Sequence, residues 1–237
     1  MVVRKLPRRC SFSVAKLSGL GGWSDLKQAG PPFNQMPKLI SESEIKLDWA
    51  DINSRVPKRR ISTTRSPGIH LSGVLQYAAR TAGILTREDE EDGMPVRMAV
   101  GMAWEEWAVG LWPNLEWQPG ECRRDQVFGN PDGRTKTTIS YQLDEFKATW
   151  KSLAKYGDIL APLNRLWIWQ LAGYCVMMKL TYARLHVMWI CGDYRPPNPT
   201  YRTYLLQFTK QELEEFWRNV VMANKDQVEP EVARARD

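Results

Sequence analysis

Two carboxylates and a lysine between positions 132 and 147 have the types and spacing of a metal-dependent hydrolytic site. Asp132 lies in the turn Pro131-Asp-Gly133, and Glu145 and Lys147 follow in a segment rich in β-branched and aromatic residues. Residues two apart on a strand share one face, so Glu145 and Lys147 should point the same way, with Phe146 on the other face. Carboxylate and backbone carbonyl oxygens are the ligands that Mg²⁺ prefers, and Mn²⁺ accepts the same donors.

We expect Asp132, Glu145 and the backbone carbonyl of Phe146 to hold Mg²⁺ or Mn²⁺. An ion bound there would polarise a phosphodiester and lower the pKa of a bound water. Lys147 would orient the resulting hydroxide and offset charge on the phosphate. Two simpler alternatives are an Asp132 side chain that only stabilises its own turn, and a Glu145–Lys147 pair that faces solvent.

Gln170 and Tyr174 are polar positions within the otherwise apolar segment that begins at Leu166. Residues four apart lie on one helix face. A lone amide in such a helix must find a hydrogen-bond partner. We expect this pair to bind a DNA phosphate or to position Lys147 and its water. The alternative is an internal network that joins helix to sheet.

Four segments in order resemble the motifs of the PD-(D/E)XK nuclease superfamily. They are Gly101-Met-Ala-Trp-Glu105, Pro131-Asp-Gly133, Glu145-Phe-Lys147 and Gln170-x-x-x-Tyr174. The last of them points to the RecB-like branch, which includes phage exonucleases and CRISPR-associated nucleases. The resemblance spans residues 70–225 and implies a restriction-endonuclease-like core. It also implies a set of catalytic residues, namely Glu105, Asp132, Glu145, Lys147, Gln170 and Tyr174.

By this resemblance, Glu105 would be the helix acid that completes the metal site. Glu106 is the competing choice. Adjacent helix positions point about 100° apart, so only one of the two can face Asp132.

The cysteine spacing argues against a zinc site, a redox motif and an iron–sulfur cluster. Cys10, Cys122, Cys175 and Cys191 form no C-x-x-C pair. Some members of the RecB-like branch hold an iron–sulfur cluster through three clustered C-terminal cysteines, a pattern that this chain lacks. We therefore expect no cluster, with Cys175 and Cys191 in the core. The two histidines, His70 and His186, have no ligand spacing and are expected to be structural or surface residues.

The order of the predicted elements indicates an α+β (or α/β) fold, with a central mixed sheet flanked by helices. Ser72 is expected to cap the first helix and Gly83 to end it, and Thr209 and Glu212 should form a capping box on the last helix. The predicted strands are Leu115–Gln118 and Gln126–Phe128, taken as a hairpin, then Thr137–Trp150, Ala183–Cys191 and Arg202–Gln207. The other predicted helices run through Met98–Leu111 and Leu160–Leu180.

Charge is unevenly distributed along the 237 residues. Residues 1–70 hold 13 Lys/Arg and 5 Asp/Glu, out of 33 and 27 in the whole chain. We expect a basic, Pro/Gly-rich N-terminal arm over residues 1–67 that is extended or loosely docked, with short structure over Leu39–Trp49. A nuclease domain over 68–225 and a charged tail over 226–237 should follow. The arm would either neutralise nucleic-acid phosphates or act only as a solvated tail.

Further DNA contacts are expected near the motifs. A set of basic residues should track the phosphate backbone, namely Arg123, Arg124, Arg134, Lys136 and Lys151. Trp150, just past Lys147, should stack on an unpaired base at a DNA end, whereas most of the 11 tryptophans should be core residues.

The sequence predicts a metal-dependent deoxyribonuclease, and specifically an exonuclease that processes DNA ends in recombination, repair or phage DNA metabolism. The alternatives are a structure-specific endonuclease or nickase, and a non-catalytic nucleic-acid-binding protein with a relic site. Double-stranded DNA with ends is the expected substrate. Assembly into a homo-oligomer, or binding to a recombination protein, would be compatible with that activity. The basic start is not followed by a hydrophobic signal segment, and no segment reaches the roughly 18 apolar residues of a membrane span. We therefore expect a cytoplasmic location in a bacterial or phage-infected cell, and no membrane partner.

Overall fold

The central element of the fold is a six-stranded sheet in the order β1-β9-β8-β7-β6-β3. The structure, a computed structural model, describes residues 36–45, 66–85, 94–190 and 199–230. Within these residues the strands are β1 (Lys38–Ile45), β2 (Ile69–His70), β3 (Leu115–Trp117), β4 (Cys122–Arg124), β5 (Val127–Gly129), β6 (Gly133–Lys136), β7 (Tyr141–Thr149), β8 (Tyr182–Trp189) and β9 (Thr200–Gln207). The helices are α1 (Leu71–Thr81), α2 (Met94–Val109), α3 (Leu153–Tyr156), α4 (Arg165–Met178) and α5 (Lys210–Phe216), and α5 continues into a π-helical segment, Trp217–Met222.

The central sheet is mixed. β7 and β8 are parallel, and the other neighbouring pairs are antiparallel. Parallel neighbours need a crossover connection, which α4 supplies between β7 and β8. A smaller sheet, β2-β5-β4, precedes the turn that leads into β6. The predicted α+β fold with a central mixed sheet is therefore confirmed.

Helices cover both faces of β7 and β8. Leu143, Leu185 and Val187 lie on one face and pack in a core cluster with residues of α1, α4 and α5. Phe146 and Met188 point the opposite way and pack with Trp104 and Trp107 of α2. The alternation follows from the two-residue period of a strand. It places the odd-numbered residues Glu145 and Lys147 on the α4 side of the sheet.

Several local predictions agree with the structure. Thr209 Oγ1 accepts from the Glu212 N–H at 3.1 Å, and Glu212 Oε2 accepts from the Thr209 N–H at 2.6 Å, which completes the capping box. Gly83 has φ of +67° just after α1, as expected for a residue that ends a helix. Cys175 is buried, as predicted. Cys10 and Cys191 lie outside the described residues.

Three local predictions were wrong. Ser72 does not cap α1, because the helix already begins at Leu71, whose side chain is buried in the core. Leu115–Gln118 and Gln126–Phe128 do not form a hairpin, since β3 pairs with β6 in the central sheet and β5 pairs with β2 and β4. The predicted strand Thr137–Trp150 begins only at Tyr141. Residues 137–140 are a tight turn, closed by the Thr137 N–H and the Ser140 carbonyl at 2.8 Å.

Part of the predicted arm belongs to the sheet. Residues 38–45 form the edge strand β1, which pairs with β9 from Lys38 to Ile45. Arg202 on β9 also contacts Glu42 at 2.6 Å and Glu44 at 3.5 Å. The prediction of an extended or loosely docked arm over residues 1–67 therefore fails over this segment, because main-chain pairing fixes it to the domain. Residues 1–35 and 46–65 lie outside the described residues, as does the end of the predicted tail, 231–237.

No helix among the described residues has both the length and the apolar character needed to cross a membrane.

Candidate active site

A cleft of about 400 Å³ is lined by residues of α1, α2, α4, β5 and β7. The structure brings together in this cleft all six side chains that the sequence analysis expected to be catalytic. They are Glu105, Asp132, Glu145, Lys147, Gln170 and Tyr174, and Phe146 lies among them. The four motif segments, spread between positions 101 and 174 of the chain, thus converge on one cleft.

Glu145 lies at the centre of the contacts within the cleft. Its side chain is only 1% exposed, so the alternative of a solvent-facing pair with Lys147 is wrong for this residue. Lys147 Nζ donates to Glu145 Oε1 at 2.6 Å. The second carboxylate oxygen, Oε2, is buried and has no hydrogen-bond partner among the described residues. An unpaired buried acceptor is costly, and a cation beside Oε2 would relieve that cost.

Gln170 links α4 to this carboxylate. Its Nε2 donates to the same Glu145 Oε1 at 2.7 Å and lies 3.5 Å from the Tyr174 hydroxyl. The internal network that joins helix to sheet, one of the two alternatives for Gln170, is therefore present. Burial raises the pKa of Tyr174 well above its ordinary value, with the nearby charge of Glu145 adding to the effect. Tyr174 thus remains a neutral hydroxyl in the cleft wall at pH 7.

Asp132 joins its turn to β7. Its Oδ2 accepts from the Phe146 N–H at 2.9 Å, a bond that spans 14 positions. Its own carbonyl accepts from the Gln118 N–H at 2.8 Å. The Asp132 carboxylate is thus held beside the backbone of the strand that carries Glu145. A role confined to its own turn, the simpler alternative, does not describe this contact.

Glu105 approaches the cleft from α2. Its Oε1 accepts from the Trp117 indole N–H at 2.7 Å. Burial, and after it the negative charge of Asp132, raises the pKa of Glu105 from 4.5 to about 7. Glu105 lines the cleft and Glu106 does not. The geometry therefore favours Glu105 as the helix acid.

Burial and neighbouring negative charges make the carboxylates of Glu105 and Glu145 hard to ionise in this cleft. Burial raises the pKa of Glu145 to about 8, with Asp132 as the next cause and Glu105 a smaller one. Desolvation alone would lower the pKa of Lys147, but Glu145, Asp132 and Glu105 outweigh it and the pKa is raised. Carboxylates that are expensive to ionise together become easier to ionise when a cation lies between them. The cleft therefore has the electrostatics of a cation-binding site.

The donor set fits a hard divalent cation. The unpaired Glu145 Oε2 and the carboxylates of Asp132 and Glu105 are all oxygen donors, as Mg²⁺ and Mn²⁺ require. No group of three His, Cys, Asp or Glu side chains among the described residues is already arranged as a metal cage. Lys147 and Gln170 hold one oxygen of Glu145, so an ion would engage the other.

The residues expected to contact DNA lie outside the cleft lining and differ in their partners. Arg124 makes two hydrogen bonds to Glu214, at 3.1 and 2.8 Å, and Arg134 makes two to Glu116, at 2.6 and 3.1 Å. Lys151 Nζ lies 5.2 and 5.7 Å from the rings of Tyr156 and Trp167. The structure therefore does not gather these cations around the acids.

Of the residues expected to contact DNA, Arg123 and Lys136 are the more exposed. Arg123 is exposed and stacks on Phe128, a cleft residue, at 5.0 Å. Lys136 is exposed at the end of β6, opposite Tyr141. Trp150 is half-buried just beyond β7. Of the predicted DNA contacts, Arg123 is the one that directly adjoins the cleft through an aromatic ring.

Four further polar or aromatic side chains line the cleft and were not predicted to do so. They are His70, Ser72, Phe128 and Asn130. His70 is buried, and its Nε2 lies 2.8 Å from the Ser66 carbonyl. None of the four stands at a diagnostic spacing. The only local indication was Asn130, which directly precedes Pro131-Asp132.

Comparisons by sequence with protein families and with curated proteins find no match. Solved structures of similar fold include a phage-related exonuclease from Haemophilus somnus 129PT, at 13% identity and a TM-score of 0.45, covering 67% of this chain and 92% of that one. They also include an alkaline exonuclease from Laribacter hongkongensis, at 14% identity and a TM-score of 0.40, covering 68% and 91%. A complex of the latter enzyme with dAMP gives 13% identity and a TM-score of 0.43, with 68% and 88% covered. These values describe a distant similarity of fold.

Proposed function

We propose that this chain is a metal-dependent deoxyribonuclease that hydrolyses phosphodiester bonds. The observation that carries the proposal is the environment of Glu145. This fully buried carboxylate is bound by Lys147 and Gln170 through one oxygen only, in a cleft that Asp132 and Glu105 also line. A structural ion pair would not require two further acids beside it.

Each residue has a role that follows from its contacts. Asp132, Glu145 and the carbonyl of Phe146 would hold Mg²⁺ or Mn²⁺, with Glu105 on the opposite wall. The ion, when bound, supplies Lewis-acid activation of the phosphate and a bound water of lowered pKa. Lys147 remains protonated and holds positive charge beside the attacked phosphate.

The roles of the two α4 residues are indirect. Gln170 fixes Glu145 through its 2.7 Å hydrogen bond to Oε1 and so leaves Oε2 available to an ion. The Tyr174 hydroxyl lies 3.5 Å from Gln170 Nε2 and is a neutral polar group in the cleft wall.

We infer an exonuclease from the Q-x-x-x-Y spacing of Gln170 and Tyr174, which resembles the RecB-like branch. The substrate would be double-stranded DNA with free ends, processed in recombination, repair or phage DNA metabolism. A partner protein of recombination, or assembly into an oligomer, would support processive action on such a substrate.

The test is cleavage of end-labelled linear duplex and of covalently closed circles, with Mg²⁺, with Mn²⁺ and with EDTA. We expect linear DNA to be degraded from its ends with either ion, circles to stay intact, and EDTA to stop the reaction. Asp132→Asn, Glu145→Gln and Lys147→Ala should each reduce cleavage by about 10²-fold or more. Asp226→Asn changes an exposed acid outside the cleft and serves as the matched control.

Unchanged cleavage by Asp132→Asn or Lys147→Ala, with the fold intact, would contradict the assignment. Cutting of closed circles would instead indicate the endonuclease alternative with the same catalytic residues.

A further inference from the structure

A buried polar chain lies on the face of β7 opposite Glu145 and Lys147. Asp144 and His186, on the neighbouring strands β7 and β8, are both completely buried. Tyr201 on β9 is buried beside them, and Trp112 completes the chain three positions after the end of α2. None of these four side chains lines the cleft.

The hydrogen bonds of this chain have one consistent direction. Trp112 Nε1 donates to the Tyr201 hydroxyl at 2.9 Å, and that hydroxyl lies 2.7 Å from His186 Nδ1. His186 Nε2 lies 3.0 Å from Asp144 Oδ1. A carboxylate oxygen of Asp144 accepts from the His186 Nε2–H, which leaves Nδ1 to accept from the Tyr201 hydroxyl.

The chain contacts the cleft through Phe146. The His186 and Phe146 rings are stacked with centroids 4.3 Å apart and planes 12° apart, and the two residues are register partners on β8 and β7. The Phe146 N–H is the donor that holds Asp132. A change in the orientation of the His186 ring would therefore shift Phe146, whose backbone lies between Glu145 and Lys147.

The chain also reaches the helix that carries Glu105. Trp112 is tied to the end of α2 by its N–H, which donates to the Val109 carbonyl at 3.1 Å. Trp104, one position before Glu105, packs edge-on against Tyr201 at 4.8 Å. Tyr201 thus contacts both α2 and, through His186, the strand β7. The Tyr201 hydroxyl accepts from the Trp112 indole N–H and donates to His186 Nδ1.

We infer that Trp112, Tyr201, His186 and Asp144 are positioning residues. Together they set the separation between Glu105 on α2 and the Asp132–Glu145 pair at β7. That separation in turn sets the affinity of the cleft for a divalent cation. The inference rests on the proposed metal-dependent activity. It assigns no proton transfer to the four residues. Partners that orient metal ligands from outside the first coordination sphere commonly change metal affinity by about 10–100-fold.

The test compares Tyr201→Phe with Tyr204→Phe. Both tyrosines lie on β9 and are completely buried, but they point to opposite faces of the sheet. Each substitution removes one buried hydroxyl, and the Tyr204 hydroxyl donates to the Gly157 carbonyl at 3.4 Å, outside the Trp112–Tyr201–His186–Asp144 chain. Mn²⁺ binding to the full chain is measured by electron paramagnetic resonance without DNA, together with melting temperature and the kcat and KM of cleavage.

We expect Tyr201→Phe to raise the Mn²⁺ dissociation constant by about tenfold and to leave the KM for DNA unchanged. Tyr204→Phe should lower the melting temperature while leaving Mn²⁺ affinity unchanged. If Tyr201→Phe does not fold, Trp112→Phe removes the donor at the half-buried end of the chain and should shift Mn²⁺ affinity in the same direction.

Two results would separate the failure of this inference from the failure of the proposed function. If the wild type cleaves DNA with Mn²⁺ but the two tyrosine variants bind Mn²⁺ alike, the positioning role is overturned and the nuclease stands. If the wild type neither binds Mn²⁺ nor cleaves DNA, both are overturned.

Discussion

Replacing Glu105 by Gln should make the metal-free protein more stable and less active. The substitution keeps an oxygen that accepts from the Trp117 indole, which now lies 2.7 Å from Glu105 Oε1, and removes the negative charge. That charge is unfavourable in the folded chain, because burial and then Asp132 raise the pKa of Glu105 from 4.5 to about 7. We therefore expect a gain in stability that depends on pH.

The sign and size of the gain follow from proton linkage. Between pH 4.5 and about 7, the folded chain keeps a proton on Glu105 that the unfolded chain has released, so the free energy of unfolding falls as pH rises. One pKa unit corresponds to about 1.4 kcal/mol, and the difference between 4.5 and about 7 sets an upper limit of about 3 kcal/mol. Glu105 is partly exposed, and solvent screening reduces this to about 1–2 kcal/mol. In a domain of this size that is about 2–8 °C in melting temperature.

The assay is thermal and urea unfolding of Glu105→Gln and wild type in EDTA, at pH 5 and pH 8. The difference in the free energy of unfolding should be small at pH 5 and reach its full size at pH 8. Adding Mn²⁺ should stabilise the wild type more than the variant, and cleavage by the variant should fall. Glu106→Gln, at the neighbouring position outside the cleft lining, is the charge-matched control. Equal stability of Glu105→Gln and wild type at pH 8, or the same difference at both pH values, would refute the reasoning.

Two further predictions concern packing and DNA contacts. Gly173→Ala should lower the free energy of unfolding by about 1–3 kcal/mol, measured by urea unfolding, because a Cβ there would come within 2.6 Å of the Leu71 side chain, where α1 packs on α4. Arg123→Ala should weaken DNA binding and reduce the slope of log affinity against log salt by about one, measured by fluorescence anisotropy. Arg124→Ala should change that slope less, because Glu214 already holds its guanidinium through two hydrogen bonds. Equal slopes for the two arginine variants would show that the Glu214 pairing does not decide which arginine meets DNA.

The parts of the fold set by local sequence were predictable. The alternation around Glu145 and Lys147 placed both on one face of a strand, and the Thr209–Glu212 capping box marked the start of α5 correctly. These features depend on residues within a few positions of each other. The cap of α1 was wrong by two residues, His70 instead of Ser72, because burial of Leu71, a tertiary effect, outweighs the capping preference of Ser72.

Features set by distant partners were not predictable from one sequence. β3 looks like half of a hairpin, yet its partner is β6 and not β5, a choice that the short segments between them do not encode. The hydrogen bond from the Phe146 N–H to Asp132 depends on that same arrangement of strands. Arg124 looks like a DNA contact until Glu214, 90 positions later, is brought beside it.

The crossover β7–α4–β8 has a consequence for the order of folding. Glu145, Lys147 and Gln170 all belong to this one continuous unit, so their hydrogen bonds require only a short loop to close. Edge strand β1, by contrast, pairs with β9, and the contact between Glu42 and Arg202 of these strands spans 160 positions of the chain. Short-range contacts generally form faster than long-range ones. We expect the amides of β7 and α4 to gain protection from hydrogen exchange before those of β1, so that the carboxylate–lysine–amide cluster would already exist in a folding intermediate whose sheet is not yet complete.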